Sequence, residues 1–347
     1  MTAPSDRGPG RMFNLQTVVG LLVTAGIIWL GLTRIDLSQT MAAFAAVRVG
    51  FVLAGGGLIV AAIAIFAVRW RVLLPSPPDV PVRFFFCYLM IGYMMNAIVP
   101  LRLGDLVRAY LLGRRHGIAV STTLSTVVVE RIFDVVAIVV IGLLVSTVLD
   151  LPPLVKVGLR TFAFVGITGM SLLYGLSFWG QWTKRLAWLD TDAGRRLPWL
   201  RGMLLRLDYF CKTLTVLHDG KRLATTSGLT LAGWSVLSAS LTMFPLSFGL
   251  KVPYLAGALM MVATSLGASI PSAPGSTGVF HVLTVLALSV WRVPTEEAVA
   301  VGVLAHGVTI TLHIVLGALC AWLAGIRLSS LSRIGMPRSS IGRSRCA

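Results

Sequence analysis

Charge is scarce in this chain, and acid is scarcer still: 12% of its 347 residues are Asp, Glu, Lys or Arg, with 13 acidic side chains against 30 basic ones. A soluble domain carries about 25% charged residues, so a water-facing globular surface is excluded. Cysteine is also sparse. The four (Cys87, Cys211, Cys320, Cys346) form no CxxC pair and no metal-ligand spacing, which removes a disulfide framework and a zinc site and leaves packing roles. Catalytic signatures are missing too: there is no GxSxG elbow, no HExxH and no Walker GxxxxGK[ST]. No enzyme class can be read, no cofactor is expected, and anything the protein moves is moved without an ATPase of its own. The net charge of +17 is not a nucleic-acid footprint, because the basic residues lie between apolar stretches and not on a domain with base-stacking aromatics. Membrane topology and anionic lipid account for them.

What the sequence has is long apolar runs; 56% of it is hydrophobic and its mean hydropathy is +0.85. A spanning helix takes about 20 mostly apolar residues, and six stretches qualify: 13–32, 51–68, 120–148, 155–179, 225–249 and 298–324. The first, behind Arg7 and Arg11, is read as an uncleaved helix and not a signal peptide, since Leu15 to Leu32 is long enough to span. Two further apolar regions, 84–112 and 254–291, are broken near their centres, at Pro100 to Asp105 and at Ile270 to Gly278.

If both broken regions are re-entrant hairpins, the basic residues sort by the positive-inside rule. The cytoplasmic side then holds both termini, Arg69, Arg71, Arg83, Arg114, Arg115, the run from Lys184 to Arg222, and Arg327 to Arg345. Outside remain Arg34, Arg48, Lys156, Arg160, Lys251 and Arg292. A simple crossing at either break would put a basic block outside. The expected fold is therefore an all-α polytopic membrane protein of the cell membrane. It is one integral domain over 1–347, with about six full spans and two broken-helix hairpins in an inverted repeat. Residues 1–150 form the first half with hairpin 84–112, and 151–326 the second with hairpin 254–291. The 180–224 loop, with Trp182, Trp188 and Trp199 among basic residues, reads as a cytoplasmic interfacial segment; 327–347 is a basic cytoplasmic tail.

Ionisable groups inside these runs mark the candidate site. Glu130, Arg131 and Asp134 fall mid-span, with Glu130 and Asp134 sharing a helix face. Each such group costs roughly 2.5 to 3.5 kcal/mol at the bilayer centre, so they face protein, water or one another. Arg102, Asp105 and Arg108 flank the first break. Arginine forks suit phosphate oxygens, which makes Arg102, Arg108 and Arg131 candidates for holding a lipid phosphate, with Asp105, Glu130 and Asp134 orienting them or taking protons. The bland alternative is a set of ion pairs that pins the hairpin to its neighbour. The breaks themselves (Pro100 and Gly104; Pro271, Pro274, Gly275, Ser276 and Gly278) are candidate gates. His306 and His313 lie two turns apart but lack a third ligand, so no metal is expected, while a proton relay stays open.

At NAIVPLRLGDLVRAYLLGRRHGIAVSTTLSTVVVERIFD and SIPSAPGSTGVFH, the chain resembles the flippase-like family typified by the transmembrane region of lysylphosphatidylglycerol synthase. The matching elements are P-x-R-x-G-D-x-x-R from Pro100 to Arg108, E-R-x-x-D from Glu130 to Asp134, and P-x-x-P-G-x-x-G from Pro271 to Gly278. The resemblance implies a hairpin-containing membrane protein associated with moving polar or charged lipids between leaflets, with membrane lipids as its partners. Bifunctional members carry a soluble aminoacyltransferase domain after the membrane region. Here a short Ser/Arg-rich tail follows Arg327, so lysyl-lipid synthesis by this polypeptide alone is not expected. Two rivals stand beside transport: a membrane-embedded glycosyl- or aminoacyl-transferase component, and a scaffold for a separate lipid-modifying synthase or glycosyltransferase. The headgroup and oligomeric state are not legible.

Overall fold

The computed structural model describes residues 37–74, 79–99, 103–183, 214–268 and 274–326, with the single positions Gly26 and Cys211. Among them the backbone is helical throughout, joined by turns and short 3₁₀ segments, with no strand. The helices are α1 (Leu37–Phe44), α2 (Val49–Leu73), α3 (Val82–Ile98), α4 (Gly104–His116), α5 (Val120–Ser146), α6 (Pro153–Thr183), α7 (Gly220–Ser247), α8 (Tyr254–Gly267), α9 (Val279–Leu288) and α10 (Thr295–Leu323). Apolar side chains on all sides are what a bilayer-embedded helix needs. α2, α7, α10 and the Pro153–Phe178 part of α6 are long and apolar enough to cross a membrane. α5 has 27 residues, about 40 Å at 1.5 Å per residue, and differs from those four by its three central charges. These five coincide with five of the expected spans; the stretch 13–32 lies outside the described residues apart from Gly26.

The four remaining helices of the broken regions are shorter, with 17, 13, 14 and 10 residues, and pair off as two antiparallel hairpins. In the first, Tyr88 of α3 meets His116 at the end of α4, with its hydroxyl 3.0 Å from Nε2. Nearer the break, the Gly104 N–H donates to Asn96 Oδ1 at 2.8 Å. Gly92 and Gly104 set the closeness of the limbs: a Cβ on Gly104 would overlap the Gly92 carbonyl. In the second hairpin, a Cβ on Gly267 of α8 would run into the Leu283 side chain of α9. Its turn takes left-handed backbone at Gly275 (φ 73°), Ser276 (φ 60°) and Gly278 (φ 88°), a conformation that costs a non-glycine residue roughly 1–2 kcal/mol. The tips meet inside the bundle, where Gly275 lies beside the Ala97 carbonyl.

Around them, α2 packs on α7, α3 on α10, and α8 on α5. Small residues allow the close α2–α7 approach: Ser240 Oγ donates to the Gly55 carbonyl at 2.9 Å, and Gly233 makes room for the Phe66 ring. Arginines cap two helix C-termini, whose last carbonyls lack intrahelical donors. Arg222 donates to the Val72 carbonyl at 2.7 Å and to that of Leu74. Arg115 donates to the Ala324 and Gly325 carbonyls at 2.5 and 3.2 Å. Of the segment expected to be interfacial the structure describes mainly the end, where Leu214–Leu217 is a 3₁₀ turn and Cys211, Leu214 and Leu217 are buried, the two leucines in one cluster with Leu73, Phe133 and Leu173. Trp188 and Trp199 lie outside the described residues, as does the 327–347 tail.

Candidate functional site

The polar interior is built from α5 outward. Glu130 and Asp134 project from one face, and between them lies Arg69 of α2, with Nη2 2.5 Å from Glu130 Oε1 and Nη1 2.5 Å from Asp134 Oδ1. Arg69 Nη1 also donates to Thr230 Oγ1 of α7 at 3.2 Å. Trp234, one turn further along α7, donates from Nε1 to Asp134 Oδ1 at 3.0 Å. From the first hairpin, Arg108 donates through Nη1 to the second Glu130 oxygen at 3.0 Å and through Nε to Asp105 Oδ1 at 3.2 Å. Arg131 closes the circuit: its Nη2 reaches both Asp105 oxygens at 2.9 Å, and Nη1 lies 3.5 Å from Asp134 Oδ2. Aromatic faces floor the two inner cations, Phe66 under Arg69 at 4.7 Å and Trp70 under Arg108 at 4.8 Å.

Three guanidinium groups thus meet three carboxylates, and the set is formally neutral. In a low-dielectric interior only such compensation makes buried charge tolerable. Burial is uneven across the cluster. Side chains of Arg69, Arg108 and Glu130 are 1–2% exposed, whereas Arg131 is 46% and Asp105 25% exposed. Apolar residues close to this side in sequence are exposed too, Leu106 next to Asp105 and Val128 one turn before Arg131. Two buried donors, Arg69 Nε and Arg108 Nη2, have no hydrogen-bond partner.

Five of the six charged residues singled out in the sequence come together here: Asp105, Arg108, Glu130, Arg131 and Asp134. Arg102 lies outside the described residues, as do Pro100 and Pro271. Gly104 forms the inter-limb contact; Pro274, Gly275 and Ser276 form a 3₁₀ turn, and Gly278 precedes α9.

Arg69 is the residue that sequence reasoning missed. The positive-inside pattern groups it with Arg71 and Arg83 at the cytoplasmic margin, yet it is 1% exposed and pairs with two acids. The available signal was helical phase: Arg69 and Arg71 are two residues apart, about 200° around a helix, so one of them faces the core.

Stability follows from the wiring. Glu130→Ala strands Arg69 and Arg108 together, and is expected to cost about 3–5 kcal/mol; Arg131→Ala, which removes a half-exposed pair, should cost about 1 kcal/mol or less. Melting in detergent micelles checks this, and a Glu130→Ala protein that melts with the wild type would contradict the cluster.

Comparison with known proteins agrees with this architecture. A family model described as the lysylphosphatidylglycerol synthase TM region matches residues 17–317, a range that holds every member of the cluster. The UPF0104 membrane protein MJ1078 of Methanocaldococcus jannaschii is 24% identical over 214 residues, covering 60% of this chain and 85% of that protein. No solved structure matches the chain significantly. The extent of the family match, on a chain whose buried charges sit within apolar helices, makes this an integral membrane protein belonging to the lysylphosphatidylglycerol synthase transmembrane-region family.

Proposed function

We propose that this protein moves a polar or charged lipid, a phospholipid or glycolipid, between the leaflets of the cell membrane. The observation that carries the reading is the lopsided exposure of the charge cluster. Arg131 stands half open at mid-helix, with exposed Val128 one turn before it and exposed Leu106 next to its partner Asp105, and a site that is ionic within and has exposed apolar neighbours suits a ligand with a charged head and hydrocarbon tails. A water-soluble anion has no use for apolar neighbours.

Asp105 occupies the place of the lipid phosphate in the resting arrangement. Its carboxylate bridges Arg131 and Arg108, and a phosphodiester offers the same paired oxygens. As the phosphate engages Arg131, Asp105 stays with Arg108, whose spare Nη2 donor takes the released oxygen. Arg69, held by Glu130 and Asp134, keeps the acids in position while Arg131 changes partners. Taking the place of Asp105 at Arg131 requires an oxyanion on the incoming headgroup, which sets the expected substrate class as lipids that carry a phosphate or another anionic group. Arg102, at the break, would meet the headgroup on its way in.

The packing supports alternating access. Exchanging the two halves maps α2 on α7, α3 on α10 and the first hairpin onto α7 on α2, α8 on α5 and the second hairpin, the pattern an inverted repeat produces. In this reading the hairpins enter from opposite faces, with the arginine-capped ends of α2 and α10 cytoplasmic.

Leaflet exchange of headgroup-labelled lipids in proteoliposomes tests the proposal. Wild-type protein is expected to exchange at least one anionic, aminoacylated or glycosylated lipid, and Arg131→Ala to reduce that exchange at least tenfold while inserting normally. Exchange unchanged in Arg131→Ala would overturn the site; an absence of exchange by inserted wild-type protein across the panel would overturn the function.

A further inference from the structure

The tip of the second hairpin carries titratable groups for which the headgroup site has no use. His281, the third residue of α9, accepts the Gly278 N–H through Nδ1 at 3.3 Å. His306 of α10 holds the same turn through a 2.8 Å bond between Nε2 and the Gly275 carbonyl. The two imidazoles lie edge to face with centroids 5.0 Å apart. Two turns along α10, His313 stacks on Tyr93 of α3 at 4.9 Å, and the Tyr93 phenol lies within electrostatic range of Arg108, Glu130, Arg131 and Asp134. A line of polar rings therefore runs from the second hairpin towards the charge cluster.

Hydrogen-bond roles fix the tautomers. A carbonyl only accepts, so His306 Nε2 carries a hydrogen whether the ring is neutral or charged. A backbone N–H only donates, so His281 Nδ1 is bare and its single hydrogen is on Nε2. An arriving proton has one place to go on His281, the Nδ1 lone pair that already holds the Gly278 N–H. Protonation and the cap on α9 are mutually exclusive. The cap sits in the turn whose backbone is left-handed at Gly275, Ser276 and Gly278, so losing it removes one of the two imidazole contacts that hold that turn.

The groups facing His281 are few. α10 contributes His306, with Glu296 and Glu297 only at its N-terminus, ahead of Gly302, which packs on the His281 backbone. α8 brings only Tyr254, at its distant start, and the 274–278 turn brings nothing titratable. Among the described residues, none of the three histidines has an ion-pair partner.

From this geometry we infer that the second hairpin is a proton-responsive gate, in which a proton binding His281 Nδ1 displaces the Gly278 N–H, frees the turn and couples lipid movement to a proton gradient. The inference builds on the transport reading above. No covalent bond other than Nδ1–H forms, the imidazole carries the positive charge until that proton leaves, and no oxidant or nucleotide takes part.

His281→Asn separates the two roles, since its amide oxygen stands in for Nδ1 as acceptor but does not titrate. In proteoliposomes, acidifying one side and then the other is expected to speed wild-type lipid exchange about fivefold or more in one orientation, and to leave His281→Asn exchange unchanged. Gradient-independent wild-type exchange would overturn the gate and leave the transport reading standing. If no exchange occurs at all, the gate is judged on hydrogen exchange of the turn peptide. From pH 8 to pH 5, protection relative to the intrinsic rate should fall about fivefold or more in the wild type and not in His281→Asn. Equal behaviour of the two proteins overturns it.

Discussion

The charge cluster inside this bundle depends on how Arg69 is held. A guanidinium within apolar helices is tolerable only with its charge matched, and Arg69 is matched twice, by Glu130 and by Asp134. Those bonds join α2 to α5. Through Glu130 the constraint passes to Arg108 and the first hairpin, and through Asp134 to Trp234 of α7. One cation thereby fixes the relation of four helices that would otherwise be held only by weakly directional packing. The same compensation leaves one position in a different condition: Arg131 is paired, but with partially exposed Asp105, at the edge where water or a headgroup can compete.

The two hairpins share a layout and differ in chemistry. The first is ionic, with Asp105 and Arg108 on its returning limb. The second, where described, carries no ion pair; its turn is held by two imidazoles and by backbone that glycine makes affordable at Gly275 and Gly278. The tips come together near Ala97 and Gly275. In the proposed transport cycle, the charged site in one half would bind the headgroup and the titratable turn in the other would gate its passage.

Much of this was legible in the sequence because the bilayer restricts the choices. Apolar runs of spanning length located α2, α5, α6, α7 and α10, since only helices satisfy backbone polar groups in lipid. Pro and Gly at the two breaks separated α3 from α4 and α8 from α9. Glu130 and Asp134 announced a buried site because four-residue spacing puts both on one face. Arg69 did not announce itself: near the end of a span an arginine can snorkel to the interface or turn inward, and only tertiary packing decides. Likewise the apolar period around Leu214 to Leu217 does not by itself bring these leucines to Leu73, Phe133 and Leu173, where the structure buries them. Nothing in the sequence said that His281 and Gly278 share a lone pair.

The central claim is that Arg131 is the point at which the cluster exchanges an internal carboxylate for a lipid phosphate. Its most direct test is a cryo-electron microscopy map of the protein in nanodiscs containing phosphatidylglycerol. The account predicts phosphate density against the Arg131 guanidinium, with Asp105 withdrawn to Arg108 and Arg69 still clamped between Glu130 and Asp134. A map with lipid bound elsewhere and Arg131 still paired to Asp105 would contradict it.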